Sequence, residues 1–456
     1  MVRIPGYAAV PPRNAHGTSQ ASRLARLVLV HRDELPGLVG GFLYFFCLLC
    51  SYYMLRPVRD EMGIRGGVDQ LQWLFTATFI AMLAAVPLFA AAAARWPRRR
   101  LLPAVYLFFI ACIGGFWLWL HSSHAPAWAA RSFFVWLSVF NLFVVSVFWS
   151  FMADIFDDEQ ATRLFGAIAA GGSAGAILGP GLTAVLAQAL GTGAMLPIAA
   201  GVLALTLPCI AGLDRWTHHH SDTVPPAATT HPDGALGGSL AEGIRAVTHS
   251  RYLLGICAFI WLYTTLSTFL YFEQANIVAR AIPDSATRTS VFAGIDLATN
   301  TLTVGAQLFL TARLVRAMGL GRALALVPAL VAAGFIALAA APALTVIAAV
   351  QVLRRAGNYA LAKPGREMLF TVVSRMEKYK AKNFIDTVVY RGGDAVAGWL
   401  FAGLAGAGLG LRGIAITAVP IALAWMLTGY WLGRAREARA RAHEEIPHEP
   451  ATLPAP

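Results

Sequence analysis

The chain has 456 residues, of which 57% are hydrophobic and only 13% are charged, and its mean hydropathy is +0.60. Soluble domains carry about 25% charged residues, so this chain has too few ionic groups for a large surface in contact with water. The composition argues against a soluble enzyme and against a disordered chain. The formal net charge is +12, and five cysteines at irregular spacing predict no disulfide framework.

Twelve apolar stretches are long enough to cross a bilayer, which takes about 20 residues of helix. In the first half of the chain they are 38–57, 71–94, 101–120, 132–152, 164–190 and 194–213. In the second half they are 252–275, 290–312, 322–341, 343–361, 384–408 and 412–433. Such continuous apolar runs indicate helices, because barrel strands alternate apolar and polar residues. The sequence therefore predicts an all-α polytopic membrane protein of about twelve transmembrane helices in two six-helix halves, 38–213 and 252–433.

Basic residues are concentrated in the loops on one side of the predicted bundle. These residues are Arg95, Arg98, Arg99, Arg100, Arg313, Arg316, Arg322, the arginines and lysines of 354–382, and Arg434, Arg436, Arg439 and Arg441. The positive-inside rule then places both termini in the cytoplasm. It predicts a cytoplasmic N-terminal segment (1–37, without a cleavable signal peptide), a flexible cytoplasmic linker (214–251) and a cytoplasmic tail (434–456). Attraction to anionic lipid explains the basic charge without nucleic acid.

Ionisable residues inside the predicted helices are functional candidates, because charge is costly in a membrane. They are Arg56, Arg59, Asp60, Glu273, Asp296, Asp386, Arg391 and Asp394. Polar stripes at helical spacing accompany them. The stripes are Tyr263, Ser267, Tyr271 and Gln274 on helix seven, Asp296, Asn300, Thr303 and Gln307 on helix eight, and Asp386, Tyr390 and Asp394 on helix eleven. They indicate either a water-filled cavity or hydrogen bonds that join packed helices.

Local alternatives remain open for three of these groups. Asp296 is interpreted as an unpaired acid within its stripe, which favours the cavity. Arg391 and Asp394 are three residues apart and can neutralise each other. Glu273 lies near the end of helix seven, where its side chain can reach the outer interface.

All four lysines, Lys363, Lys378, Lys380 and Lys382, fall within one predicted cytoplasmic segment. They indicate either a funnel that concentrates an anionic substrate or a positively charged anchor before helix eleven. Both interpretations stay open.

Glycines four residues apart mark helix five, namely Gly171, Gly175 and Gly179, followed by Pro180. Glycine permits close helix approach and proline bends a helix, so this face predicts a hinge or a tight seam between the halves. Cys47 and Cys50 lie in an apolar span and indicate packing. The sequence shows no phosphate-binding loop, nucleophile motif or metal-ligand spacing, and we expect neither enzyme activity nor a cofactor.

The arrangement of six plus six helices around a long central loop resembles the major facilitator superfamily. The spacing of Gly166, Gly175, Gly179 and Pro180 is similar to the antiporter motif of that superfamily, although Thr183 and Ala184 replace its final glycine pair.

Three segments resemble the ATP/ADP translocase family of nucleotide antiporters, in particular its short bacterial members. They are SYYMLRPVRDEMG, FWSFMADIF and KYKAKNFIDTVVYRGGDAVAGW. The resemblance implies a bacterial inner membrane and assigns nucleotide exchange to Arg59, Glu273 and Lys382. The acid of helix four in that family has no counterpart, since Ser138 and Asn141 occupy the stretch.

These observations predict a secondary transporter that works by alternating access, with a site between two rocking halves. Its substrate is expected to be a small anion, of which a nucleotide is one candidate, attracted by Arg56, Arg59, Lys382 and Arg391. Tyr52, Tyr53, Tyr271 and Tyr390 offer rings for stacking. One alternative is a proton-coupled exporter of a small organic compound that uses Asp296 and Glu273. Another is a membrane scaffold or assembly factor without transport.

Overall fold

The computed structural model describes residues 31–96, 98–122, 126–221, 244–245, 247–374, 381–382 and 384–444. Within these ranges the elements are helices joined by short turns, and none is a strand. Twelve helices follow one another along the chain. This confirms the predicted all-α architecture.

The N-terminal half contains helices α1 to α6. They are α1 (Leu35–Arg65), α2 (Leu71–Arg95), α3 (Arg98–His121), α4 (Ala127–Ile155), α5 (Asp158–Leu190) and α6, in two segments (Met195–Ala204 and Thr206–Ser221). Asp157 caps α5 by accepting a hydrogen bond from the backbone N–H of Gln160. This cap starts α5 six residues before the predicted span, at a polar turn that the hydropathy criterion excludes.

The C-terminal half contains helices α7 to α12. They are α7 (Arg251–Ala281), α8 (Ser285–Phe309), α9 (Thr311–Ala340), α10 (Leu344–Gly357, π-helical Asn358–Ala362, then Lys363–Leu369), α11 (π-helical Ile385–Val389, then Tyr390–Gly406) and α12 (Leu411–Glu444). We call the side of the bundle where α1 begins and α12 ends the terminal side. The other face is the opposite side.

The ends of two helices differ from the prediction. Helix α6 continues to Ser221, so 214–221 is helical and His218 lies on a helix rather than in the linker. Helix α12 continues to Glu444, so the first part of the tail is also helical. Helical turns that extend beyond the membrane are polar, so a prediction based on apolar runs does not detect them. The remaining parts of the predicted N-terminal segment (1–30), linker (222–243) and tail (445–456) lie outside the described residues.

Nine helical stretches in the described ranges are long and apolar enough to span a membrane. They correspond to all helices except α8, α10 and α11. These three helices carry Asp296, Arg354 and Arg355, and Arg391 and Asp394, which lower their hydropathy. The low hydropathy of these three helices is therefore due to charged residues that they carry into the bundle.

Each half has its own apolar core. One core extends from Tyr44 to Leu213, and the other is built mainly from residues between Val247 and Leu432. Large apolar side chains also point away from the bundle, including Leu88 and Val185, which are each 69% exposed. Such an outer surface suits lipid.

The glycine face of α5 packs against α1. A Cβ atom on Gly171, Gly175 or Gly179 would meet the backbone of α1 at Phe42, Phe46 and Cys50. The prediction of a tight seam is confirmed, but its predicted position between the halves was wrong, because α1 and α5 belong to the same half. The glycine spacing on one helix predicts that another helix packs closely against it. It does not indicate which helix that is.

Candidate functional site

A cavity of about 200 Å³ lies between the two halves. Helices α1 and α2 of the N-terminal half line it, together with α7, α10 and α11 of the C-terminal half. Its charged lining residues are Arg56, Arg59, Asp60, Arg354, Arg355, Arg391 and Asp394. Tyr263, Tyr271, Tyr359 and Tyr390 supply aromatic rings, and Ser267, Thr268, Gln274, Gln351 and Asn358 supply uncharged polar groups.

The halves are joined at mid-depth and on the opposite side. At mid-depth the Asn300 amide donates to the Ala176 carbonyl at 2.6 Å. On the opposite side Ser290 donates to the Ala184 carbonyl at 2.6 Å, and the rings of Trp73 and Trp399 pack with centroids 4.7 Å apart. The hydrogen bonds found between the halves in the described ranges all lie in these two zones. The opposite side is thus closed.

Asp296 lies between two arginines from different helices. Its Oδ1 accepts a hydrogen bond from Nη1 of Arg56 on α1 at 3.0 Å and forms an ion pair with Nη1 of Arg355 on α10 at 2.7 Å. Asp296 is only 1% exposed. The interpretation of Asp296 as an unpaired acid was wrong, because its partners come from helices that the pattern on α8 does not reveal.

Arg59 and Asp60 form a second contact between the halves. The guanidinium of Arg59 lies 3.8 Å from the ring centroid of Phe134 and 3.4 Å from Oδ1 of Asp60. The hydroxyl of Tyr271 on α7 donates to the same Asp60 oxygen at 2.9 Å. The predicted residues of α1 thus reach the cavity and contact the other half.

Arg354 is buried in the cavity wall, and no carboxylate in the described ranges pairs with it. Its Nη1 donates to the Ser267 hydroxyl at 2.8 Å, and its Nη2 donates to Oε1 of Gln351 at 2.8 Å. Sequence reasoning missed Arg354 and Arg355 because it counted them as basic residues of the segment that follows helix ten. Their position inside the predicted span 343–361 was the signal that could have identified them.

Tyr390, Arg391 and Asp394 on α11 also line the cavity. The Thr268 hydroxyl donates to Oδ1 of Asp394 at 3.3 Å, and the guanidinium of Arg391 lies 5.6 Å from the ring centroid of Tyr390. Within the described ranges Arg391 and Asp394 do not come within ion-pair distance of each other. The two therefore act on the cavity as separate charges.

Glu273 does not line the cavity and is 1% exposed. Its Oε1 has no hydrogen-bond partner among the described residues. The alternative in which its side chain reaches the outer interface was wrong, since neighbouring helices enclose it.

Lys382 and Asp386 lie outside the cavity. The Nζ atom of Lys382 is 2.6 Å from Oε2 of Glu367, and Asp386 lies 3.7 Å from Arg366 with its side chain 44% exposed. Lys363 is exposed, whereas Lys378 and Lys380 are outside the described residues. The predicted eleventh-helix acid and the lysine before it thus form a separate charged cluster, which includes Arg366 and Glu367.

One comparison with known proteins shows the family of the chain, and another shows its fold. Residues 37–362 match the family model for the Major Facilitator Superfamily. A peptide transporter POT solved in complex with sulfate is similar in structure, with a TM-score of 0.61 and 12% identity over 89% of this chain and 95% of that one. The nucleoside transporter NupG has a TM-score of 0.56 and 14% identity over 90% of this chain and 100% of that one.

A bacterial homologue of the human lysosomal transporter Spinster, solved in an inward-facing and unoccupied conformation, has a TM-score of 0.52. It is 14% identical over 92% of this chain and 100% of that one. Identities this low show a shared fold alone. No curated protein sequence matches the chain.

Proposed function

Because the chain belongs to the Major Facilitator Superfamily, we propose that it carries a small organic anion across a membrane by alternating access. Membership of this family indicates a secondary transporter rather than an enzyme. The cavity between the halves supports transport over a scaffold role. The concentration of arginine on the terminal side supports a cytoplasmic location for that side.

The main support for an anionic substrate is the excess of positive charge in the cavity. Five arginines line it, against Asp60 and Asp394. Even when Asp296 is counted as the partner of Arg56 and Arg355, two positive charges remain uncompensated. A buried positive charge in a membrane protein is costly unless an anion meets it during function. Arginine suits carboxylate and phosphate because its planar group can bond two oxygens at once.

The four tyrosines of the cavity favour an anion that also carries a planar ring. A nucleotide has both features, and the resemblance to the ATP/ADP translocases points to the same class. Ligand pockets commonly measure about 300–1,000 Å³. A cavity of about 200 Å³ would therefore have to widen as the halves move before it held a whole nucleotide.

Proton coupling is a second candidate, favoured by Glu273. Ionisable groups inside a membrane mark proton relays and ion pathways. Glu273 is enclosed, and Oε1 of its carboxyl group has no hydrogen-bond partner in the described ranges. A proton carried by this group would couple anion movement to a pH gradient.

Uptake into proteoliposomes tests the proposed function. Wild-type protein is assayed with labelled ATP, ADP, AMP, phosphate and dicarboxylates, with and without unlabelled anion inside the vesicles. We expect uptake of at least one anion and a loss of at least tenfold in Arg354→Gln. Arg280→Gln, at an exposed site outside the cavity, should leave uptake within twofold. Absence of uptake of every one of these anions by folded wild-type protein would contradict the proposal.

A further inference from the structure

We propose that the Nε and Nη2 edge of Arg355 binds a doubly charged oxyanion group of the substrate, of the phosphate monoester class. The inference rests on the proposed function. It identifies the part of the cavity that selects a dianion over a monoanion. Arg355 lines the cavity and is 8% exposed. Neither Nε nor Nη2 has a hydrogen-bond partner among the described residues.

Arg288 shows what this edge of a guanidinium does in the same protein. Its Nε donates to Oε2 of Glu61 at 2.6 Å, and its Nη2 donates to Oε1 of Glu61 at 2.7 Å. The two parallel bonds fit two oxygens of one anion. Arg355 carries the same pair of donors beside the cavity, where both atoms are enclosed and have no hydrogen-bond partner among the described residues.

The guanidinium of Arg355 is held in place from its other side. Its Nη1 forms an ion pair with Asp296 at 2.7 Å, and Asp296 accepts a hydrogen bond from Arg56 at 3.0 Å. This contact fixes the position of the guanidinium group before an anion arrives. It leaves Nε and Nη2 available for the ligand. Buried donors without partners are costly, so a functional ligand for them is expected. Asp296 is thus a positioning residue for Arg355.

The charge around Arg355 favours a dianion over a monoanion. Among the described residues, Arg354, its neighbour on α10, bonds to the uncharged Ser267 and Gln351 and to no carboxylate. Arg355 itself shares a single carboxylate with Arg56. Two positive charges therefore remain in this wall, whereas a carboxylate brings one negative charge. A phosphate monoester carries about −1.5 to −2 at neutral pH.

The backbone next to Arg355 is irregular and lines the cavity. The π-helical turn Asn358–Ala362 begins three residues later and contributes Asn358 and Tyr359 to the cavity. Such turns are frequent at functional sites. A shift of this turn would move the Tyr359 ring relative to the guanidinium edge.

The test measures anion binding by purified full-length protein in detergent, through its thermal unfolding temperature. The probes are sulfate and inorganic phosphate, compared with nitrate at equal ionic strength. We expect sulfate and phosphate to raise the unfolding temperature and nitrate to have little effect, because bound ligand stabilises the native state. Arg355→Lys keeps the charge but loses the fork, so sulfate should bind at least tenfold more weakly. The matched control Arg412→Lys, at an exposed site, should change sulfate affinity less than twofold.

Unchanged sulfate affinity in a folded Arg355→Lys protein would overturn the inference. So would equal stabilisation by nitrate and sulfate. If Arg355→Lys does not fold, inhibition of wild-type anion uptake decides: sulfate must inhibit at least tenfold better than nitrate, and equal inhibition overturns the inference. Anion uptake that Arg355→Lys leaves intact would remove this subsite while the proposed function stands. Absence of anion uptake by wild type would instead remove the proposed function.

Discussion

Glu61 on α1 and Arg288 on α8 join the two halves through two bonds of 2.6 and 2.7 Å on the opposite side of the bundle. The Glu61 side chain is fully buried and that of Arg288 is 12% exposed. Arg288 also donates to the carbonyls of Ile282 and Pro283, at the turn between α7 and α8. The pair therefore fastens one end of α1 to the first turn of α8, where the two halves must separate for the opposite side to open.

Glu61→Gln should shift the protein toward a state that is open on the opposite side. The substitution leaves the Arg288 charge without its partner, and breaking a buried pair in this way costs about 3–5 kcal/mol. Reaction of a single cysteine introduced at Gln274, in a background without native cysteines, measures access from the opposite side. The rate should rise at least tenfold. The charge-swapped pair Glu61→Arg with Arg288→Glu should return the reaction rate toward that of the original protein. If the rate stays slow in Glu61→Gln, the Glu61–Arg288 pair does not hold the halves together.

Asp296→Asn should bind the anion more tightly and transport it more slowly. The amide leaves Arg56 and Arg355 without the carboxylate that they share, which raises the positive potential of the cavity. In the wild type the Asp296 carboxylate competes with the substrate for these arginines. Without it, release of the anion should be slower. The concentration dependence of uptake should show a KM several-fold lower and a kcat at least tenfold lower. An unchanged KM with loss only of flux driven by a pH gradient would instead support the proton-coupled alternative.

Glu273→Gln tests the proton-coupled alternative at the residue that favours it. Glutamine keeps the shape of the side chain, so the enclosed site should still pack and the unfolding temperature should change little. If Glu273 carries the coupled proton, uptake driven by a pH gradient falls at least tenfold, whereas exchange of internal for external anion continues. Glu437→Gln on α12 serves as the control, and equal pH-driven uptake in both variants would exclude Glu273 from coupling.

Lys382→Ala should affect uptake far less than a substitution in the cavity. Lys382 pairs with Glu367 outside the cavity, so its removal weakens only the attraction of anions toward the bundle. We expect a KM raised at most about threefold and an unchanged kcat. Complete loss of uptake would instead support the role that the resemblance to the ATP/ADP translocases gives to this lysine.

The sequence predicted the twelve helices because long apolar runs are a direct consequence of the lipid solvent. It also pointed to Arg56, Arg59, Tyr390 and Asp394, which line the cavity. A charge or a polar stripe inside an apolar run is costly in a membrane, so such residues stand out in the sequence. The partners were not predictable in the same way. The pairing of Asp296 with Arg56 and Arg355 joins residues 240 and 59 positions apart, on three helices whose rotations depend on tertiary packing.

Arg354 and Arg355 show a different limit of sequence reasoning. The same two residues satisfy the positive-inside rule if helix ten ends before them and become cavity residues if it continues past them. Helix ends are the least certain part of a prediction from sequence. Here α10 continues to Leu369 and carries both arginines to the cavity.

Gly175→Ala should lower the stability of the N-terminal half without entering the cavity. A Cβ at this position would meet the backbone of α1 at Phe46 and Cys50, which cannot move aside like a side chain. Overpacking of this kind costs about 1–3 kcal/mol. Gly166→Ala is the matched control on the same helix, because nothing lies within 4 Å of its added Cβ. Thermal unfolding should show a lower temperature for Gly175→Ala alone, and equal unfolding temperatures would mean that α1 and α5 do not pack through this glycine face.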